Sequence, residues 1–288
     1  MAENISSLSG SDSPGTKAPA WERLFPDRAH AFEVGTTRGD GTFFSHREDS
    51  NALLAERSRW LVESPAKYAM ALPGSMDVIQ ESAEFFGGLP RRGDVSLSLQ
   101  FSDPGSVCAQ IGSQVEPDWL LMAPSKGSPV FAAGCVCFPS FWSPEEKLGK
   151  LMQEIHGPVP GLNDQLGRAV DAFLDRLKPG VDWERWNWGM SASAERNAHP
   201  DRRLPRLGQE ISEGSVWIRV EHQALRRLPR TGAILFGIRV SIHPIAVILE
   251  STVLKTRVRH QLETMDEAIA AYKGLATARP GLLRLLGA

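Results

Sequence analysis

His156 is the residue whose setting in the sequence most favours chemistry. It ends an apolar helical pattern, and the rigid sequence Gly-Pro-Val-Pro-Gly follows it at 157–161. The stripe of this helix recurs at i, i+3, i+4 and i+7: Leu148, Leu151, Met152 and Ile155. A neutral imidazole held in a fixed direction can bind a metal or a cofactor. The alternative is a histidine that only packs, or that only stabilises the C-terminal end of its helix.

Arg219 and Glu221 form a second pair of candidates. In the alternating pattern of residues 216–222 they share one strand face with Trp217. A charged pair on a buried strand needs partners, because an isolated buried charge is costly. The pair therefore indicates either a polar binding pocket or a structural ion pair at the edge of a sheet.

The aromatic and sulfur residues allow two interpretations as well. There are 8 Trp against 2 Tyr, and Trp183, Trp186 and Trp188 lie close together. Large planar side chains suit a large planar ligand, but more often they fill a core. The sequence Cys135-x-Cys137 is interpreted as two buried thiols on a strand.

The composition excludes several classes of protein. The chain has 288 residues, 42% of them hydrophobic and 23% charged, with a formal net charge of -2. This balance gives no general attraction to nucleic acid or to an acidic membrane surface. No apolar run reaches the roughly 18 residues of a membrane span. We therefore expect neither nucleic acid nor a membrane as a partner.

The N-terminus and the cysteines indicate the compartment. Residues 1–20 are rich in Ser, Gly and Pro and lack an apolar segment, which predicts a disordered lead-in and not a secretory signal. The three cysteines contain no CxxC pair, so neither a disulfide framework nor an iron–sulfur site is expected in this chain. A cytoplasmic location fits this cysteine usage.

The elements that must position these residues follow from periodicity. Helical spacing marks an N-terminal section at about 45–90, with a break at Pro73-Gly74. A helix is predicted from Ser143, whose capping box is completed by Glu146, to His156. Further helices are predicted at 162–177, 245–262 and 266–273, and strands at 95–101, 119–122, 130–138, 216–222 and 233–242.

The order of these elements predicts the fold class. Helices, mixed strands, helices, two strands and helices again indicate an α+β fold with an antiparallel sheet. We expect a single domain over 21–288. The sequence has no GxGxxG, no Walker loop and no HExxH.

Six short stretches, taken together, resemble the α subunit of the haem-dependent oxidative N-demethylases, the dimethylamine monooxygenase family. The pieces keep the family's order and span roughly residues 21–286. They are Cys137-Phe138-Pro139-Ser140 with Trp142, Glu146-Lys147-Leu148-Gly149, Ile155-His156-Gly157-Pro158-Val159-Pro160-Gly161, Arg185-Trp186-Asn187-Trp188, RVEHQALRRLP from Arg219 to Pro229, and Tyr272-Lys273-Gly274.

The resemblance implies a PAS-like haem-binding sheet decorated with helices. It implies a haem b whose iron activates O₂ and an N-methyl oxidation that releases formaldehyde and the shortened amine. The partners implied are a small secondary or N-methyl amine, O₂, and separate reductase proteins with flavin and [2Fe–2S] that deliver electrons from NADPH. Another subunit of the family uses tetrahydrofolate.

The resemblance makes His156 the expected haem ligand. An apolar helix stripe beside it would cover the porphyrin face, with the axial imidazole held by the following Gly-Pro. His222 and His243, on or beside the second pair of strands, are the competing ligands. A cysteine ligand from the Cys135-x-Cys137 pair is a further alternative.

The resemblance also gives roles to the charged strand residues. Glu221 would accept hydrogen bonds from a substrate ammonium, and Arg219 would stabilise bound O₂ or fix the carboxylate. Arg226 and Arg227 could pair with haem propionates, or could be solvated turn residues or partner contacts. A structural Arg219–Glu221 bridge remains the alternative.

Two more residues could line the haem pocket, and one departs from the family. Trp188 could contact the haem or fill the core, and Lys147 could reach a propionate or be solvated. His222 stands where the family usually has Arg, on the strand face opposite Glu221. A PAS-like haem sensor without catalysis is the alternative function, and a structural subunit of a redox complex is a third.

Overall fold

The computed structural model describes residues 19–31, 33–46, 50–89, 97–100 and 102–287. Within these residues one antiparallel sheet has the strand order β1-β5-β6-β7-β3-β4-β2. Its strands are β1 (Thr37–Arg38), β2 (Ala69–Ala71), β3 (Asp118–Ala123), β4 (Val130–Cys135), β5 (Asp182–Ser191), β6 (Trp217–Arg227) and β7 (Ile234–Pro244). The α+β class with an antiparallel sheet is thereby confirmed.

Helices surround this sheet. They are α1 (Trp21–Leu24), α2 (Ser50–Glu63), α3 (Pro65–Tyr68), α4 (Met76–Gly87), α5 (Pro104–Gly112), α6 (Met152–His156), α7 (Leu162–Arg176), α8 (Ala246–Leu249), α9 (Thr252–Thr264), α10 (Glu267–Tyr272) and α11 (Arg279–Leu285). In the described ranges no helix combines the length and the apolar character that crossing a membrane requires.

Strand register divides the side chains between two faces. Glu221 pairs with Asn187 of β5 and with Val240 of β7, so these three residues share one face. We call it the front face: the odd-numbered residues of β5 and β6 and the even-numbered residues of β7. The back face carries the alternate residues, including His222, which pairs with Trp186.

The back face is covered by two groups of apolar residues. Near one end of β5 and β6, the C-terminal helices α8 to α11 pack with Trp188, Ile218 and Val220. Near β3 and β7, Phe43 and Phe44 pack with α4 and α5. The close approach of these rings requires Gly237, because a Cβ there would lie 2.5 Å from the Phe44 ring. The back face is therefore a packed core.

Most predicted elements from residue 119 onward exist in the structure. The predicted strands at 119–122, 216–222 and 233–242 and the helix at 162–177 are found, each with boundaries shifted by a few residues. The helix predicted over 245–262 is divided at Ser251, whose hydroxyl caps α9 by accepting from Leu254 N. Strand β5 was not predicted, because its tryptophans do not alternate.

The helix predicted from Ser143 is wrong over its first half. The chain makes successive turns there, with Glu146 N donating to Ser143 O, and α6 begins only at Met152. Gly149 has a φ of 80°. Its N–H donates to Phe131 O, and Phe131 N donates to Lys150 O. Pairing with β4 therefore uses the backbone N–H and C=O groups that a longer helix would need for its own hydrogen bonds.

The strand predicted at 95–101 is not formed where the structure describes it. Residues 95, 96 and 101 lie outside the described residues, and 97–100 are extended but unpaired with the sheet. Two glutamine side chains bind this segment instead. Gln110 accepts from Gln100 N at 2.6 Å and donates to Gln100 O at 2.9 Å, and Gln114 does the same for Ser98.

Candidate functional site

Helices α6 and α7 cover the front face: the Phe173 ring is 5.8 Å from that of Trp183, and Arg227 donates to Leu174 O. In α7 only Leu174 is buried, and the rest of its apolar stripe is half-buried. On the opposite wall, Ile238, Val240 and Ile242 of the central strand are buried, with exposed fractions of 8%, 5% and 7%. We call the space between these walls the front cleft.

Two polar contacts fix α6 against α7. Gln153 donates to Asp171 Oδ2 at 3.0 Å, and Asn163 donates to Gln153 O at 2.8 Å. Glu154 caps the start of α6 by accepting from Leu151 N at 2.7 Å. This short helix thus has a defined direction, and it ends on His156.

The His156 imidazole lies half-buried beside the front cleft. It forms no hydrogen bond or ion pair with any residue that the structure describes. Burial lowers the pKa of His156, and the nearby positive charge of Arg185 lowers it further. The imidazole is therefore neutral at neutral pH, which is the form that binds a metal.

The competing histidines lie on the back face and already have partners. His222 Nε2 is 2.6 Å from Glu184 Oε2, and its ring stacks on Trp186 with 3.8 Å between centroids. His243 Nε2 is 2.9 Å from Ser241 Oγ, with Trp21 against its ring. The two predicted alternatives to His156 are thus separated from the front cleft by the sheet.

Glu221 is half-buried on the front face, with its carboxylate held from three sides. Ser140 donates to Oε1, while Asn187 and Gln223 donate to Oε2 at 3.2 and 2.8 Å. All three of these donors are neutral groups, so none of them is an ion-pair partner for the carboxylate.

Arg219 is a buried clamp. Its guanidinium donates to the carbonyl oxygens of Phe138, Pro139, Glu195 and Arg196, and Nε donates to Ser140 Oγ at 2.7 Å. The side chain is only 3% exposed. These contacts fix the turn that carries Ser140, and thereby fix Glu221. The alternative of a structural Arg219–Glu221 bridge is not found, because the Ser140 hydroxyl lies between the two side chains.

The remaining predicted site residues are divided between the two faces. Arg226 lies on the back face, paired with Asp182 at 2.5 Å, and Trp188 lies in the back core. Arg227 is on the front face, but it donates to the carbonyl oxygens of Leu174, Leu177 and Gly232. Lys147 is half-buried, its pKa lowered by burial and by Lys150, and its charge in turn lowers the pKa of His156.

Two further charged residues, Arg185 and Lys273, lie at this site and were not predicted from the sequence. Arg185 lies on the front face of β5, and its charge acts on both His156 and Glu221. Lys273 donates to Trp188 O at 2.7 Å across the edge of β5 that β1 leaves uncovered. Burial lowers the pKa of Lys273 to about 8, partly offset by Glu221. Both belong to stretches of the family resemblance, which was the available signal.

The three cysteines are all buried and free. Cys135 and Cys137, with sulfurs 3.9 Å apart, lie in the core beside Arg57, whose Nη2 donates to Cys135 Sγ. This confirms the interpretation of the pair as buried thiols. Among the described residues, no group of three or more His, Cys, Asp or Glu side chains is arranged to hold a metal ion.

A comparison with known protein families gives one match. The model of a family described as haem-dependent oxidative N-demethylase, alpha subunit-like, matches residues 89–283. The matched span is more than half of the chain and contains the whole front cleft.

Proposed function

The chain belongs to the haem-dependent oxidative N-demethylase, alpha subunit-like family, and we propose that it binds haem b in the front cleft and oxidatively N-demethylates a small secondary or N-methyl amine. The overall reaction consumes the amine, O₂, two electrons and two protons. It yields formaldehyde, the shortened amine and water. Separate flavin and [2Fe–2S] proteins would supply the electrons from NADPH, and a cytoplasmic location suits such a system.

One observation carries this proposal: the neutral, half-buried imidazole of His156 has no partner in the described structure and lies beside an apolar cleft. A histidine that holds haem iron needs a free imidazole nitrogen, and the porphyrin needs apolar surroundings. The half-buried stripe of α7 and the apolar residues of β7 would supply those surroundings. The residues present therefore fit haem, in an arrangement that we regard as PAS-like.

When bound, haem would supply the redox chemistry that activates O₂. The chain's own residues would bind and orient the amine. Glu221, fixed by Ser140, Asn187 and Gln223, would accept hydrogen bonds from the substrate ammonium. Apolar neighbours on the same face, Val240 and Ile242, would contact the methyl groups and limit access of water.

The first test is an absorption spectrum of the purified chain reconstituted with haem. We expect a Soret band that depends on His156: His156→Ala should lose stable haem binding, whereas the control His260→Ala, a half-buried histidine on α9, should retain it. A protein without a Soret band would overturn the haem assignment. An unchanged haem content in His156→Ala would move the ligand to another residue.

The second test is turnover with a surrogate reductase, NADPH and a panel of methylated amines. Formaldehyde release that requires haem, O₂ and reductant is the expected result. Spectral shifts on amine or gas binding without formaldehyde would instead identify a haem sensor or a binding module. The absence of both turnover and spectral shifts would identify a structural subunit.

A further inference from the structure

Arg185 is a half-buried arginine of β5 that differs from the arginines whose donors the fold already uses. Its Nε is buried, and its guanidinium makes no hydrogen bond or ion pair in the part of the chain that the structure describes. By contrast, Arg57 pairs with Asp118, Arg219 donates to four carbonyl oxygens and Ser140, and Arg226 pairs with Asp182.

An unpaired guanidinium in this setting is costly. Burial lowers the pKa of Arg185, and the negative charge of Glu221 offsets this only in part. No ion pair joins the two, since Glu221 is bound by Ser140, Asn187 and Gln223. An unpaired buried charge destabilises the fold, so stability does not explain this guanidinium. A bound anion would pair with it.

We infer that Arg185 binds a carboxylate group of the molecule that occupies the front cleft. The inference rests on the proposed function, in which that carboxylate is a haem propionate. A guanidinium offers a planar fork of donors that matches a carboxylate in two parallel hydrogen bonds. The positive charge of Arg185 would repel an ammonium substrate. Arg185 would therefore bind the anionic group, and Glu221 the cationic one.

The location of Arg185 supports the proposal that it binds a haem propionate and not a molecule bound to the iron. Its charge acts on His156, the proposed haem ligand, and the charge of Glu221, the proposed amine-binding residue, acts on it in turn. A haem held by His156 would therefore bring its carboxylates into the part of the molecule where this guanidinium lies. Two arginines expected from the sequence to take this role are already used: Arg226 by Asp182, and Arg227 by backbone carbonyl oxygens.

The test compares haem with its propionate dimethyl ester, which lacks the anionic charge. Affinities are measured by equilibrium titration of the full chain, followed by the Soret band. The wild-type protein should bind haem roughly 10- to 100-fold more tightly than the ester, the range expected for a charge-assisted hydrogen bond. Arg185→Met should bind the two equally, and Arg185→Lys should retain part of the preference. The control Arg168→Met, an exposed arginine of α7, should behave as wild type.

The outcomes separate this inference from the proposed function. If wild type binds haem and ester equally, or if Arg185→Met keeps the preference, the role of Arg185 is overturned while haem binding stands. If wild type binds neither porphyrin, the proposed function falls and this inference falls with it. The wild-type comparison does not require a variant to fold, and circular dichroism verifies that the variants do.

Discussion

Arg219 and Glu221 share one face of β6, yet no ion pair joins them. The Ser140 hydroxyl links the two residues: it accepts from Arg219 Nε at 2.7 Å and donates to the Glu221 carboxylate. The other donors of Arg219 bind backbone carbonyl oxygens around the same turn. The carboxylate is thus oriented by a neutral hydroxyl, and the Arg219 guanidinium does not bind it directly.

This linkage predicts the effect of Ser140→Ala. The substitution leaves Arg219 Nε and one Glu221 oxygen without their partner, so the free energy of unfolding should fall by about 1–3 kcal/mol. Urea denaturation measures the loss. The control Ser58→Ala, on α2, removes a half-buried hydroxyl that makes no side-chain hydrogen bond in the described structure. Equal stability of the two variants would show that the Ser140 linkage contributes nothing.

Glu221→Gln should separate amine binding from haem binding. The amide keeps the shape of the side chain but removes the charge that attracts an ammonium. Affinity for the amine should fall roughly 10- to 100-fold, the range of a charge-assisted hydrogen bond, with haem content unchanged. Titrating the haem spectrum with the amine measures this affinity. Glu250→Gln, at an exposed position after α8, is the control, and an equal amine affinity in both variants would remove Glu221 from the substrate site.

Lys273 should give the stability a characteristic pH dependence. Folding lowers the pKa of its ammonium from 10.5 to about 8, so between these values the unfolded chain binds more protons at this group. By linkage, the buried ammonium destabilises the fold: this penalty is complete below pH 8 and fades as pH rises from 8 towards 10.5. The free energy of unfolding of wild type relative to Lys273→Met should therefore increase from pH 7 to pH 9. Parallel pH profiles for the two proteins would contradict the shift.

The sequence could predict which face each strand residue occupies. Alternation along 216–222 places Arg219 with Glu221 and places His222 opposite, and the structure agrees, because side-chain direction in a strand is a local property. The sequence could not predict the hydrogen bonds through Ser140. Ser140 is 79 residues from Arg219 and 81 from Glu221, and no local pattern encodes a contact at that separation.

The same distinction explains the failed prediction at 143–156. The local signals for a helix were strong, since Ser143, Pro144 and Glu146 have the spacing of a helix start. The hydrogen bonds between Phe131 and Gly149–Lys150 overrode them. His156 still ends a helix, but a short one, and its isolation from other partners became visible only once the surrounding chain was placed.

Arg185 shows a further limit of sequence reasoning. An arginine among tryptophans in 183–188 looks like any other strand arginine, and its unsatisfied Nε is a property of the assembled cleft. The residues that looked suited to anions, Arg226 and Arg227, belong to a dibasic pair. Their side chains project to opposite faces, and both are used by the fold.

The pair of Arg57 and Asp118 connects the core to the site, and breaking it should be costly. Arg57 Nη1 lies 2.5 Å from Asp118 Oδ1, and both side chains are buried. The same carboxylate accepts from Cys137 N and Phe138 N, so it fixes the start of the turn that carries Ser140. Asp118→Asn would leave the Arg57 charge unpaired in the core, and the free energy of unfolding should fall by about 3–5 kcal/mol.

Urea denaturation of Asp118→Asn measures this, with Asp175→Asn, an exposed position of α7, as the control. Because Asp118 positions residues 137 and 138, the folded variant should also bind the amine more weakly at temperatures where haem remains bound. A large loss of stability with unchanged amine affinity would confine Asp118 to the core. A small loss would show that Arg57 finds another partner, and the adjacent Cys135 thiol is within reach.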